Sequence, residues 1–144
     1  MTYLDTAALK ALIETIPALE TATFVGEAKY PPPNDTAKVP TPYVVLFPAD
    51  GVNSTESLTG PKVVENPDFT GWVVGDSAEQ AGVVLNLLRQ LLYPGGLGVR
   101  VTVAGRANDR LWFESPVGLQ RDTSVTPPLQ YHVFRTGWRS QPDS

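Results

Sequence analysis

Between Phe69 and Gly96 the sequence leaves the chain little freedom. Phe69–Val74 alternates around Gly71 and Trp72 and reads as a strand. Ser77 with Gln80, or Asp76 with Glu79, then forms a capping box, and the apolar periodicity that follows predicts a helix to about Tyr93, ended by Pro94-Gly95-Gly96. At about 100° per residue, Ala81, Val84, Leu85, Leu88, Leu91 and Leu92 make the core stripe. Val83 and Leu87 extend it sideways, to an apolar arc of roughly 200° where ~100° or slightly more is usual. One sheet cannot cover so wide an arc. Either the first helix or a long loop covers the remainder within the chain, or another subunit does. Each such side chain contributes roughly 1.5–3 kcal/mol once fully buried.

The other elements are read around this unit. Asp5 is the expected N-cap of a first helix, with Leu4 stapled onto Leu9. Leu9, Leu12, Ile13 and Ile16 give that helix one narrow apolar stripe, Lys10 and Glu14 an exposed pair, and Pro17 its stop. Thr21–Tyr30 reads as a strand. Five of the twelve residues from Pro31 to Pro42 are proline, which makes 31–42 a stiff extended connection. Tyr43–Phe47 is an apolar run typical of a strand covered on both faces, closed by Pro48. Residues 49–68 lack periodicity and read as a long loop, with a short extended piece at Val63-Val64. Val99–Val103 alternates with its valines inward and is expected to pair with Arg110–Glu114 across a turn at 106–109. Residues 115–129 read as a proline-containing connection. Gln130–Trp138 is the last strand, with Tyr131, Val133 and Arg135 on one face. The expectation is a single α+β domain over 1–144, in which a mixed, mostly antiparallel sheet packs against one long helix and a short N-terminal helix.

Chemistry is scarce. The chain has no cysteine, so thiolate metal sites and a cysteine nucleophile are excluded. His132 is its one histidine and lies inside a predicted strand, away from any evident base or nucleophile. Gly95-Gly96-Leu97-Gly98 follows a helix and precedes a strand, the reverse of a phosphate cradle. Asp76 with Glu79 is a helix cap, Asp109 with Glu114 flanks a turn, and no acidic loop has calcium spacing. Trp72, Trp112, Trp138, Tyr131 and Phe134 could stack on bases or sugars, but their places within strands favour core packing. Asn34-Asp35-Thr36 and Asn53-Ser54-Thr55 match the glycosylation pattern but are discounted, because Met1–Asp5 has neither the basic nor the apolar region of a secretion signal. No apolar run approaches a membrane span. These readings lead to a soluble intracellular or particle-bound domain, with no catalytic residue, metal or cofactor expected.

Charge is uneven along the chain. Residues 1–80 carry four Lys/Arg and eleven Asp/Glu, and residues 81–144 carry seven, all arginine, and four. A net charge of −4 argues against general nucleic-acid binding. The split is either chance or the mark of a molecule with an acidic and a basic end, suited to stacking.

The order of elements resembles the tail-terminator, or tail-completion, proteins of long-tailed bacteriophages. The resemblance is carried by the short N-terminal helix, the proline-led strand Thr41–Phe47, the strand entering the helix from Phe69 to Leu92, and late strands ending in the aromatic- and arginine-bearing Tyr131–Arg139. It covers nearly the whole chain as a pattern of elements; the 31–42 and 49–68 loops look like elaborations. It implies a ring, usually hexameric, at the head-proximal end of the virion tail. Such a ring is assembled in the host cytoplasm, caps the major tail-tube protein, meets a head-side connector protein, and has no catalytic residue. DNA would enter only as a passenger through the lumen. Candidate subunit-interface residues are Val83, Leu87, Gln90, Arg106, Arg110, Arg121, Ser54, Thr55 and Leu58. A connector, neck or tail-tube subunit is the nearest alternative. A monomeric adaptor using the 49–68 loop, and a small hydrolase, are alternatives of other classes.

Overall fold

The computed structural model describes residues 2–30, 32–33, 38–49, 54–55, 63–124 and 128–142. Helix α1 (Thr2–Ile13) is followed by a 3-10 turn (Pro17–Leu19) and strands β1 (Thr23–Val25) and β2 (Tyr43–Ala49). The short strands β3 (Ser54–Thr55) and β4 (Val63–Val64) precede β5 (Asp68–Gly75) and α2 (Ala78–Leu92). The chain ends in β6 (Arg106–Asn108), β7 (Trp112–Asp122), β8 (Leu129–Gly137) and β9 (Ser140–Pro142).

Five strands make the main sheet in the order β1-β2-β5-β8-β7, and β3-β4 and β6-β9 form two-stranded sheets. The β1–β2 pair is parallel and every other pair in the main sheet is antiparallel. The fold is therefore α+β with a mixed sheet, as the sequence predicts. The helix α2, with 15 residues, is of ordinary length rather than long.

Register sorts the sheet into two faces. Val44 and Leu46 of β2, Phe69 and Val73 of β5 and Phe134 of β8 share one face. They form a single apolar cluster with Leu9 and Ile13 of α1 and with Val84, Leu85, Leu88 and Leu92 of α2. Both helices thus lie on this face. Val44, Val45 and Leu46 are all buried, but both helices lie on the face of Val44 and Leu46, and Val45 on the other face is shielded within the sheet beside Trp72 and not by a second layer. Pro48 does not close β2. The N–H of Val44 points toward β1, bonding Ala22 O at 2.9 Å, so by the two-residue period the missing N–H of Pro48 also faces that side, past the last β1 pair at Val25↔Leu46.

Further local expectations are corrected. Asp5 is not an N-cap: α1 begins at Thr2, and Asp5, Leu9 and Ile13 share one helix face at i, i+4 and i+8, which leaves Asp5 only 2% exposed. Leu4 points outward at 47% exposure and staples nothing. Residues 99–103 keep the expected alternation, Val101 and Val103 inward, but join no ladder; β7 takes β8 as its partner instead. Their backbone is satisfied piecemeal: Val99 N–H donates to Leu92 O, Leu111 N–H to Val99 O, and Asn108 Nδ2 to Val101 O at 2.6 Å. The segment 106–109 holds strand β6, paired with β9, in place of a turn. Finally, 115–122 is strand and not connection. The ladder slips between Glu114 and Val117 and again between Val117 and Gln120, and these two irregularities accommodate Pro116 and Gly118 on an edge strand.

Candidate assembly surface

The β5–α2 unit forms as its sequence dictates. The Ser77 side chain accepts from Gln80 N–H at 3.1 Å, and Gln80 Oε1 accepts from Asp76 N–H at 2.7 Å. This reciprocal cap fixes where the helix starts, and so which side chains face the sheet. The C-terminal stop uses Gly95 and Gly96, whose φ values of +63° and +82° lie in the left-handed region.

With the helix so rotated, Leu88 is fully buried and Val84 is 3% exposed, while Val83 and Leu87 remain 55% and 37% exposed. The first helix packs against β1 and β2 and leaves this flank uncovered. Glu79, also exposed, continues the row at i, i+4 and i+8, giving a ridge that begins in a carboxylate and ends in two apolar side chains.

The opposite flank of α2 is different in kind. The Arg89 guanidinium lies 5.7 Å from the centroid of the Phe113 ring. Among the described residues no carboxylate lies within ion-pair distance of Arg89. An open cavity of about 610 Å³ lies here between α2 and β7, lined by Asn86, Arg89, Tyr93, Phe113, Glu114 and Ser115 among others; the Glu114 carboxylate is taken up by Arg135 at 3.3 Å. Behind it, His132 of β8 is held below its usual 6.5 by partial burial and by the Arg89 charge. His132 has no hydrogen bond to a nucleophile or carboxylate among the described residues.

The remaining predicted interface residues fall on other elements. Gln90 is exposed and lines the cavity. Arg106 on β6 is engaged within the subunit: its Nε donates to Ser140 Oγ at 3.0 Å, and its guanidinium is 3.7 Å from Glu65. Arg110 is exposed and donates to Gly98 O at 3.0 Å. Arg121 lies near the far end of β7, exposed, opposite Gln130. Ser54 and Thr55 form β3, and Leu58 lies outside the described residues. Acidic and basic halves of the sequence interleave in space, since Arg135 pairs with Asp68 at 3.0 Å and Arg106 with Glu65.

A second surface escapes sequence reasoning. On the sheet face away from the helices, Phe47, Trp72 and Tyr131 form a continuous aromatic row, with ring centroids 5.3 Å and 5.0 Å apart. Trp72 is 39% exposed, as is Trp112, beneath the Arg135 guanidinium. Core packing was the expectation for all five aromatics, and it holds only for Trp138 and Phe134. The available signal was the alternation of β5, which sends Trp72 to the face opposite Val73.

Among the described residues no group of three or more His, Cys, Asp or Glu could hold a metal ion, and no helix is long and apolar enough to cross a membrane. No protein-family model matches the sequence, and no curated protein does. The fold is similar to that of a chain in the virion of a native gene transfer agent particle, with a TM-score of 0.56 at 17% identity, covering 94% of this chain and 96% of that one.

Proposed function

We propose that this chain is a structural protein of a phage-like virion, and that it acts there as the ring-forming tail terminator. In this reading copies of the chain close into a ring, hexameric by expectation, that caps the tail tube and presents a second face to the head-side connector. The observation that carries the reading is the uncovered flank of α2. Val83 and Leu87 keep 55% and 37% of their surface in water in the single chain, on a helix whose rotation is fixed by its cap, and covering what remains exposed would recover roughly half of the ~1.5–3 kcal/mol that full burial of such a side chain contributes. Likeness of fold to a chain of the gene transfer agent virion, over nearly the full length of both, supports a virion role, although a fold by itself assigns no function. No catalytic role is assigned to any residue. The test is solution mass and negative-stain imaging of the purified protein, followed by mixing with tail-tube protein. Rings that stop tube growth at a defined length support the terminator. Copolymerisation along the tube would make the chain a tube subunit, and a strict monomer at every concentration would overturn self-assembly altogether.

A further inference from the structure

The two flanks of α2 are complementary to each other and not to themselves. One carries the ridge Glu79–Val83–Leu87, negative at one end and apolar beyond it. The other carries a cavity in which an arginine without a carboxylate partner among the described residues is backed by an aromatic ring. A guanidinium propped on a ring face and open on its other side is well placed to receive a carboxylate. Because ridge and cavity are different surfaces of one chain, their union is head-to-tail. It repeats from copy to copy and closes when the rotation per copy divides a full turn.

We propose that the ridge of one copy seats along the α2–β7 cavity of the next, with the Glu79 carboxylate on the Arg89 guanidinium. The inference rests on the self-assembly reading above and names the partner residue that reading leaves open. Glu79 lies in the first turn of α2 and Arg89 in the last. Neighbouring α2 helices therefore meet with the first turn of one beside the last turn of the next. The positive end of one helix dipole then sits toward the negative end of the next, which favours the same arrangement.

A chain without cysteine offers a clean test. In Glu79→Cys/Arg89→Cys the two thiols within one helix are about 15 Å apart along its axis, beyond disulfide reach, so any disulfide joins different copies. The proposal expects a ladder of covalent multimers under mild oxidation on a non-reducing gel, absent from either single variant beyond the dimer. In parallel, Glu79→Arg and Arg89→Glu should each weaken association about tenfold, and the double reversal should restore most of it, with circular dichroism unchanged throughout. Rings that form normally but give no ladder and no rescue overturn this contact while leaving self-assembly standing. Duplex DNA binding that is lost in Arg89→Glu without any change in assembly assigns the arginine to phosphate and overturns the contact as well. A wild-type chain that is strictly monomeric removes both readings.

Discussion

Gly71 of β5 and Phe134 of β8 face each other across the central ladder, and the Phe134 ring occupies the space that a β-carbon at position 71 would require. The pair explains a glycine in mid-strand, where the residue otherwise weakens a sheet. It also lets Phe134 lie flat over β5 and stack on Phe113 at 5.5 Å beneath α2. Gly71→Ala should therefore destabilise the monomer by about 1–3 kcal/mol or more, read as a shift in the urea midpoint. Because the clash is with one ring, Gly71→Ala combined with Phe134→Leu should cost less than the sum of the two single changes.

Adjacent leucines on α2 should behave in opposite ways. Leu88→Ala removes a fully buried side chain and should cost about 2–5 kcal/mol of folding stability. Leu87→Asp alters a side chain that is 37% exposed; it should leave the thermal midpoint nearly unchanged and shift the sedimentation profile toward monomer. A Leu87→Asp chain that unfolds would instead put Leu87 in the monomer core.

The cap of α2 predicts a modest, local loss. Ser77→Ala removes the acceptor for Gln80 N–H and should lower stability by ~1 kcal/mol, with Ser77→Asp restoring it.

His132 reports on Arg89. Partial burial and the Arg89 charge both hold its imidazole below 6.5, so Arg89→Gln should raise its pKa toward that ordinary value, leaving only the burial effect. An NMR titration of the single histidine measures this directly. An unchanged midpoint would mean that the two side chains are farther apart than the fold places them.

Asp5 should make stability depend on pH in an unusual sense. Burial raises its carboxyl above 3.8, Glu65 adds to the rise, and the Arg106 charge offsets it only in part. The folded chain thus holds this proton more tightly than the unfolded chain. The contribution of Asp5 is complete below its ordinary value and is lost as pH rises through the raised one. The stability difference between Asp5→Asn and wild type should therefore move in favour of the variant between about pH 3 and pH 7, measured by urea denaturation at each pH.

What the sequence made legible follows from which signals are local. The capping box at Ser77, the Pro-Gly-Gly stop and the 3.6-residue period of Val84, Leu85, Leu88 and Leu92 all act within one turn of helix, and the structure realises each. The surplus at Val83 and Leu87 was visible for the same reason. Strand partners were not, because pairing is a contest between distant segments. Val99–Val103 has a strand's alternation, yet β7 pairs with β8, whose Val133 and Arg135 offer it a longer ladder. Pro116 and Gly118 read as punctuation, whereas an edge strand absorbs both with bulges. Arg89 was invisible as a site residue, since nothing in its neighbourhood along the chain announces Phe113. The aromatic row was likewise hidden, because residues of three strands compose it.

The order of strands also bears on when the molecule can take shape. β8 lies between β5 and β7, so the central ladder joins Asp68–Gly75 to residues beyond 128, and the bridge from Glu65 to Ser140 closes nearly the same span. A ribosome must release the chain past β8 before the middle of the sheet has its second neighbour. Until then one edge of β5 and the part of the core that Phe134 fills stay open, and so synthesis is a stage at which this protein is exposed to aggregation.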